Sequence, residues 1–332
     1  MLNRNAEALF WMGRYMERAE NHARLIDVHY HLQAEHELGL ERSPDHLERI
    51  DSSTKWMRIV EALGSRSNYE EQYGAFTEID VLLYMTLDWG NENSIVSCVS
   101  HARGNLRTLR EKVPSELWDS LNGFYLWLRE CQPDDLLRES PHTFFGRIKD
   151  WAALFLGLCQ SVMPRENEWH FIECGRYLER AENTLRILKS TISAACSEGW
   201  SHAASYPYLQ AVLKSVSGHQ AFRRYYADGI AIEAIFEFVI LNAVFPRSVQ
   251  FSLHSLDEHL RLIELQDKTL RTQHDRMIRQ VGKVKADLAC LEQDDFMLLD
   301  SNAVLVNHLF DATQQLGVAF AKTFFRLGEA SA

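Results

Sequence analysis

One twelve-residue segment occurs twice in this chain. Gly13-Arg14-Tyr15-Met16-Glu17-Arg18-Ala19-Glu20-Asn21-His22-Ala23-Arg24 returns as Gly175-Arg176-Tyr177-Leu178-Glu179-Arg180-Ala181-Glu182-Asn183-Thr184-Leu185-Arg186, identical at nine of twelve places and 162 residues later. Such self-similarity predicts two copies of one unit. The likeness continues outside the segment. Trp56, Ile59, Val60, Tyr69 and Tyr73 align with Leu209, Val212, Leu213, Phe222 and Tyr226 at an offset of 153, and Ser94, Ile95, Val99, Leu106 and Arg107 with Ser248, Val249, Leu253, Leu260 and Arg261 at 154. The smaller offset predicts a longer connection after the first motif helix. The division expected is a first repeat at 1–135, a connection with an apolar helix at 136–164 and a second repeat at 165–332, joined in one compact unit. A pseudo-twofold arrangement with the motif helices adjacent follows, with tandem stacking as the alternative.

The fold class expected is all-α, a helical bundle of two similar halves. A chain of 332 residues has only seven prolines and sixteen glycines, and its polar residues are mostly long helix formers. Helical spacing of apolar residues predicts helices at about 3–36, 52–64, 68–88, 93–112, 115–128, 143–163, 165–197, 208–217, 220–242, 247–264, 267–291 and 295–327. Glu41 to Asp45, Gly199 and Pro207 are the expected breaks.

A net charge of −11 weighs against nucleic acid as a partner, since such a surface needs a basic stripe. Six cysteines, none in a CxxC pair, read as buried thiols of a reduced compartment. The apolar run Trp151–Met163 is shorter than the roughly 20 residues that cross a bilayer, and the N-terminus lacks a signal-peptide pattern. A soluble cytoplasmic protein without a membrane partner is expected.

On a helical projection, Trp11, Met12, Tyr15, Met16, Ala19, Ala23, Ile26 and Tyr30 form a core stripe. Arg14, Glu17, Glu20, Asn21 and Arg24 lie opposite, with Arg18 and His22 at the edge. A solvated charged face, held by pairs such as Arg14–Glu17 and Glu20–Arg24, is the ordinary reading. The two copies argue otherwise. The stripe differs at Trp11/Glu173, Met12/Cys174, Met16/Leu178, Ala23/Leu185 and Ile26/Leu188, whereas Arg14/Arg176, Glu17/Glu179, Arg18/Arg180, Glu20/Glu182, Asn21/Asn183 and Arg24/Arg186 are identical. A solvated face tolerates change more readily than a core. These twelve residues are therefore expected in a buried ion-pair network between the halves, or on a surface gripping a partner or ligand. Gly13 and Gly175 fit close approach of another backbone.

The stretch Leu9 to Asn21 with its second copy Gly175 to Glu182 resembles the bacterial alpha-E domain family, named for a helical domain with a Glu-Arg motif. The resemblance covers essentially the whole chain. It implies an all-helical fold encoded beside, or fused to, a circularly permuted ATP-grasp ligase, often with transglutaminase-like peptidases and a proteasome-related hydrolase. That context points to a pathway making or processing peptide-like amide bonds. No catalytic residue carries over. The function expected is an accessory or substrate-holding subunit of an ATP-grasp-type peptide or amide ligase, with a peptide substrate, ATP and magnesium on the partner and no cofactor in this chain. Two other classes stay open. One is a stand-alone enzyme using Glu17, Glu20, Glu179 or Glu182 as acid or base on an anionic substrate; the other is a structural homodimeric scaffold.

Other constellations have simpler readings. Glu17-x-x-Glu20 and Glu179-x-x-Glu182 lack the histidines of a di-iron bundle and are interleaved with arginines, so no metal is expected. His22, His29 and His36 recur every seven residues, about 10.5 Å apart on a helix, and read as surface histidines. Asp134-Asp135 and Asp294-Asp295 read as turn and cap residues. His219 to Tyr226 reads as core aromatics with a basic edge. P-loop, GxSxG, HExxH and GxGxxG patterns are absent.

Overall fold

The computed structural model describes residues 3–37, 52–138, 140–198, 202–226 and 229–325. Among them are fifteen α-helices, one 3-10 turn and no strand. The chain runs through α1 (Asn3–Glu37), α2 (Ser52–Ala62), α3 (Arg66–Gln72), α4 (Glu78–Thr86), α5 (Ile95–Arg107), α6 (Ser115–Glu130), α7 (Pro133–Arg138) and α8 (Pro141–Val162). It continues through α9 (Asn167–Glu198), α10 (His202–Ser215), α11 (His219–Tyr225), α12 (Ile232–Leu241), α13 (Val249–Arg261) and α14 (Lys268–Ala289), then the 3-10 turn Gln293–Phe296 and α15 (Leu299–Phe324). No helix of the described residues is long and apolar enough to cross a membrane.

The two longest helices, α1 and α9, form the centre. They pack on each other, α1 also against α5 and α8, and α9 against α13 and α15. Their apolar residues, among them Leu9, Met12, Met16, Ala19 and Ile26 on α1 and Leu178, Ala181, Leu185 and Leu188 on α9, lie in one continuous core.

Local chemistry sets the helix starts. Ser94 accepts from the Ser97 amide and Ser248 from the Phe251 amide, capping α5 and α13. Such caps satisfy amides that the first helical turn leaves unpaired. Gly64, at φ +74°, supplies the left-handed residue that turns the chain after α2.

Three expectations need correction. The helix predicted at 68–88 is two, because the chain breaks at Tyr73 to Phe76 and restarts with Thr77 accepting from the Asp80 amide. The break lets Tyr69 stack on both Tyr73 and Phe76 and donate its hydroxyl to the Ala75 carbonyl at 3.0 Å. The helix predicted at 220–242 also divides, into α11 and α12, with Gly229 at φ +121° between them. Pro207, expected to break the chain, lies inside α10; placed in the second turn, it removes one backbone bond to the helix start only. The breaks expected at Glu41–Asp45 and Gly199 lie outside the described residues.

Candidate functional site: the seam between the motif helices and its cleft

Glycine sets how close the motif helices come. A Cβ on Gly13 would collide with the Ile172 carbonyl oxygen, and one on Gly175 with the Phe10 carbonyl oxygen. Contacts climb both helices together. Gly13 meets Ile172, Arg18 meets Glu179, and Leu25 and His29 share a cavity wall with Ile187 and Thr191. The helices therefore run parallel, with the two copies of the motif side by side.

This closeness brings the charged faces together in the interior. Arg14 donates Nε to Glu179 and Nη2 to Glu182, both at 2.6 Å, and Arg18 Nε donates to Glu179 at 2.7 Å. In the opposite direction, Arg180 donates Nε and Nη2 to the two oxygens of Glu17, each at 2.7 Å. That fork-on-carboxylate geometry is the strong form of the interaction. Arg24 pairs with Glu20 along α1. Asn21 and Asn183 donate to Glu17 and Glu179 one turn earlier, at 3.3 and 3.5 Å. Arg186 donates to Asn183 at 2.6 Å and lies 3.6 Å from Glu182.

Two members depart from the expected pattern. The Arg14–Glu17 pair gives way to bonds across the seam, because Glu17 is taken by Arg180. Arg176 does not cross at all; it turns to Glu173 three residues back on α9. Glu173 stands where the first copy has Trp11, so the changed core stripe supplies this arginine with its own carboxylate.

Sequence reasoning missed Arg247, which precedes the α13 cap. It donates to Glu20 at 2.7 Å and Asn21 at 2.6 Å and lies 3.4 Å from Glu17. Its signal was present beside the aligned caps Ser94 and Ser248, where the equivalent of Arg247 is Asn93.

Glu17, Glu20 and Glu179 are held ionised. Burial alone would raise Glu17, but Arg180 and Arg247 hold it below the ordinary carboxylate value. Glu20 is brought down to about 2 against burial by Arg247 and Arg24. Glu179 is depressed further, by Arg14 and Arg18. For Arg186 the charged form is instead disfavoured: burial lowers it, and Glu179 and Glu182 offset only part of that loss. Carboxylates fixed in this state are poor proton donors at neutral pH, and paired ones are poor bases.

Several smaller expectations change. His22 is fully buried, and burial with the nearby Arg18 and Arg186 pushes it down to about 3. His29 is half-buried and is lowered to about 4, by burial first and then by Arg58 and Lys55. Neither is a surface histidine, since α5 and the α2 region cover that edge of α1. Of the thiols, Cys98, Cys159 and Cys174 are buried, but Cys131 is half-buried and Cys196 and Cys290 are exposed. Asp295 occupies a capping role at the 3-10 turn. Asp27, His31 and His142 bring three ligand atoms within 4.8 Å of one another, with the Lys149 ammonium 2.6 Å from Asp27. That cation already neutralises the only carboxylate of the three.

Beside the seam lies a cleft of about 1060 Å³. Trp11, Tyr15 and Arg18 of α1, Arg186 and Lys189 of α9, and Phe310 and Gln314 of α15 form its walls. The turns at 63–65 and 90–93 close its end.

The fold and seam define an all-helical protein built on two facing Glu-Arg helices. The chain belongs to the Alpha-E family, described as a predicted alpha-helical domain with a conserved ER motif, whose profile matches residues 1–325. Similar curated proteins are uncharacterized ones of Mycobacterium bovis and of Mycobacterium tuberculosis, each 24% identical over 85% of this chain. The chain spans about a third (34%) of the length of these relatives. No solved structure matches it.

Proposed function

We propose that this chain is a non-catalytic helical subunit that works with an ATP-grasp-type peptide or amide ligase, orienting it or holding its peptide substrate. The observation that carries this reading is the seam. Each motif carboxylate able to serve as acid or base is engaged by an arginine at close range, which leaves the motif a structural task. The ligase enters through the alpha-E resemblance, in which a circularly permuted ATP-grasp protein lies beside or fused to the helical unit. The greater length of the mycobacterial relatives leaves room for such a fused unit. ATP and magnesium belong to the partner. Six free thiols and the lack of a membrane-length helix among the described residues support a cytoplasmic setting.

We further infer that the chain is an internal duplication with an approximate twofold relation between its halves. Equivalent pairs support it: Arg18–Glu179 with Arg180–Glu17, and Gly13 against Ile172 with Gly175 against Phe10. So do the matching lengths of α3 and α11, seven residues each, and of α5 and α13, thirteen each.

The test is ATP-dependent amide formation with and without this chain, beside a circularly permuted ATP-grasp protein. Activity that needs both and survives Glu20→Gln is expected. Turnover by the isolated chain that is abolished by Glu20→Gln would establish an enzyme instead.

A further inference from the structure

The buried network is short of negative charge. Arg14, Arg18, Arg24, Arg176, Arg180, Arg186 and Arg247 meet Glu17, Glu20, Glu173, Glu179 and Glu182, seven guanidiniums against five carboxylates. Removing an uncompensated cation from water is costly. The cation with the weakest local compensation is Arg186. Its nearest carboxylate, Glu182 at 3.6 Å, is already bonded to Arg14 at 2.6 Å. Arg186 also faces the cleft beside the seam.

Among the differences between the two sides of the seam is the residue before the helix cap. On one, Arg247 reaches in and binds Glu20 and Asn21. On the other, the equivalent residue is Asn93, whose short amide is spent on the Leu63 carbonyl and the Ser65 hydroxyl at 2.7 and 2.8 Å. On that side Glu182, the equivalent of Glu20, is held by Arg14 at 2.6 Å, and Asn93 lines the cleft.

We propose that this cleft binds a peptide-like monocarboxylate, with the carboxylate against Arg186 and Lys189 and the amide portion along Asn68, Gln314 and the Trp11 ring. The charge of the lining disfavours a multiply charged anion. Arg18 is committed to Glu179, whereas Glu61 lies 3.6 Å from an Arg66 already bonded to Glu70 at 2.9 Å. His101 is stacked on Tyr15 at 5.2 Å. What remains is Arg186 and the exposed Lys189 against Glu61 and the exposed Glu92, two cations and two carboxylates. With no positive charge in excess, a dianionic phosphate would meet more repulsion than a monocarboxylate. Arg186 is positioned for the task from behind: its side chain packs at 3.4 Å from where a Cβ on Gly64 would lie, and its guanidinium sits 5.7 Å from the Phe310 ring centre. One terminal nitrogen of this guanidinium donates to Asn183 and the other lies 3.6 Å from Glu182, so a ligand carboxylate meets its remaining N–H groups together with the Lys189 ammonium.

This site stands or falls without a ligase partner, because the isolated chain tests it. N-acetyl-alanyl-alanine is titrated into the full chain while the amide resonances of Gly64 and Gly90, both in the cleft lining, are followed. The free acid is expected to shift them and its C-terminal carboxamide to leave them in place. Lys189→Glu, at an exposed position, is expected to weaken binding by about tenfold with unchanged melting. Arg186→Lys, which keeps the charge and loses the guanidinium N–H groups, is expected to weaken it as well. Equal binding of the carboxamide, tighter binding of inorganic phosphate, no shift with the free acid, or full affinity in Lys189→Glu would each overturn the proposal.

Discussion

Glu17 and Glu179 do the same work from opposite sides of the seam, each receiving an arginine of the other helix. The identities of these residues were readable because the copies differ on their apolar stripe and agree on their polar face. The partners were less so: Arg14 crosses the seam while its equivalent Arg176 stays on its own helix, a choice made by Glu173 in place of Trp11. The histidines give a solution signature. His22, His29 and His259 are lowered to about 3, 4 and 4 by burial and neighbouring cations. A folded value below the unfolded one means that the unfolded chain takes up protons first as the pH falls. The stability tied to these groups is complete above pH 6.5 and is lost progressively toward their folded values. Unfolding free energy should therefore decline between pH 6 and 5 by about 1.4 kcal/mol per pH unit for each such histidine. Denaturant titrations of His22→Gln should show that slope reduced by one histidine's share; an unchanged slope would mean that His22 is not buried neutral.

Between α1 and α9 the decisive residues are glycines. An alanine in an ordinary helix interior would stabilise by about 1 kcal/mol relative to glycine. At Gly13 the added Cβ meets a backbone carbonyl, which cannot rotate away as a flexible side chain would. Overpacking costs of about 1–3 kcal/mol therefore exceed the propensity gain, and Gly13→Ala should lower the melting temperature. A raised melting temperature would show that the helices are farther apart. Much at this scale was legible in the sequence: both motif helices, and the equivalent caps Ser94 and Ser248. The broken helices were not. Tyr69, Tyr73 and Phe76 have helical spacing, yet stacking on one another is worth more than a straight chain, and that preference comes from tertiary packing. Arg247 was hidden for a related reason, since it lies outside the motif and reaches Glu20 only after α13 docks on α9.

For the whole molecule, the seam joins residues far apart in the chain through ion pairs shielded from water, with Glu179 fully buried and Glu17 nearly so. Composition and periodicity make an all-helical chain evident; the excess of buried cations and the cleft beside them depend on how the helices pack, which a linear pattern does not carry. The reading of function depends on the seam being structural: if Glu17 and Glu179 bind the halves together, chemistry belongs to a partner and recognition to the cleft. Equilibrium unfolding of Glu17→Gln and Glu179→Gln tests this most directly. Each substitution leaves a buried guanidinium without its counter-charge and should cost about 3–5 kcal/mol. Stabilities within about 0.5 kcal/mol of the parent would contradict the account and make the motif a surface for binding or catalysis.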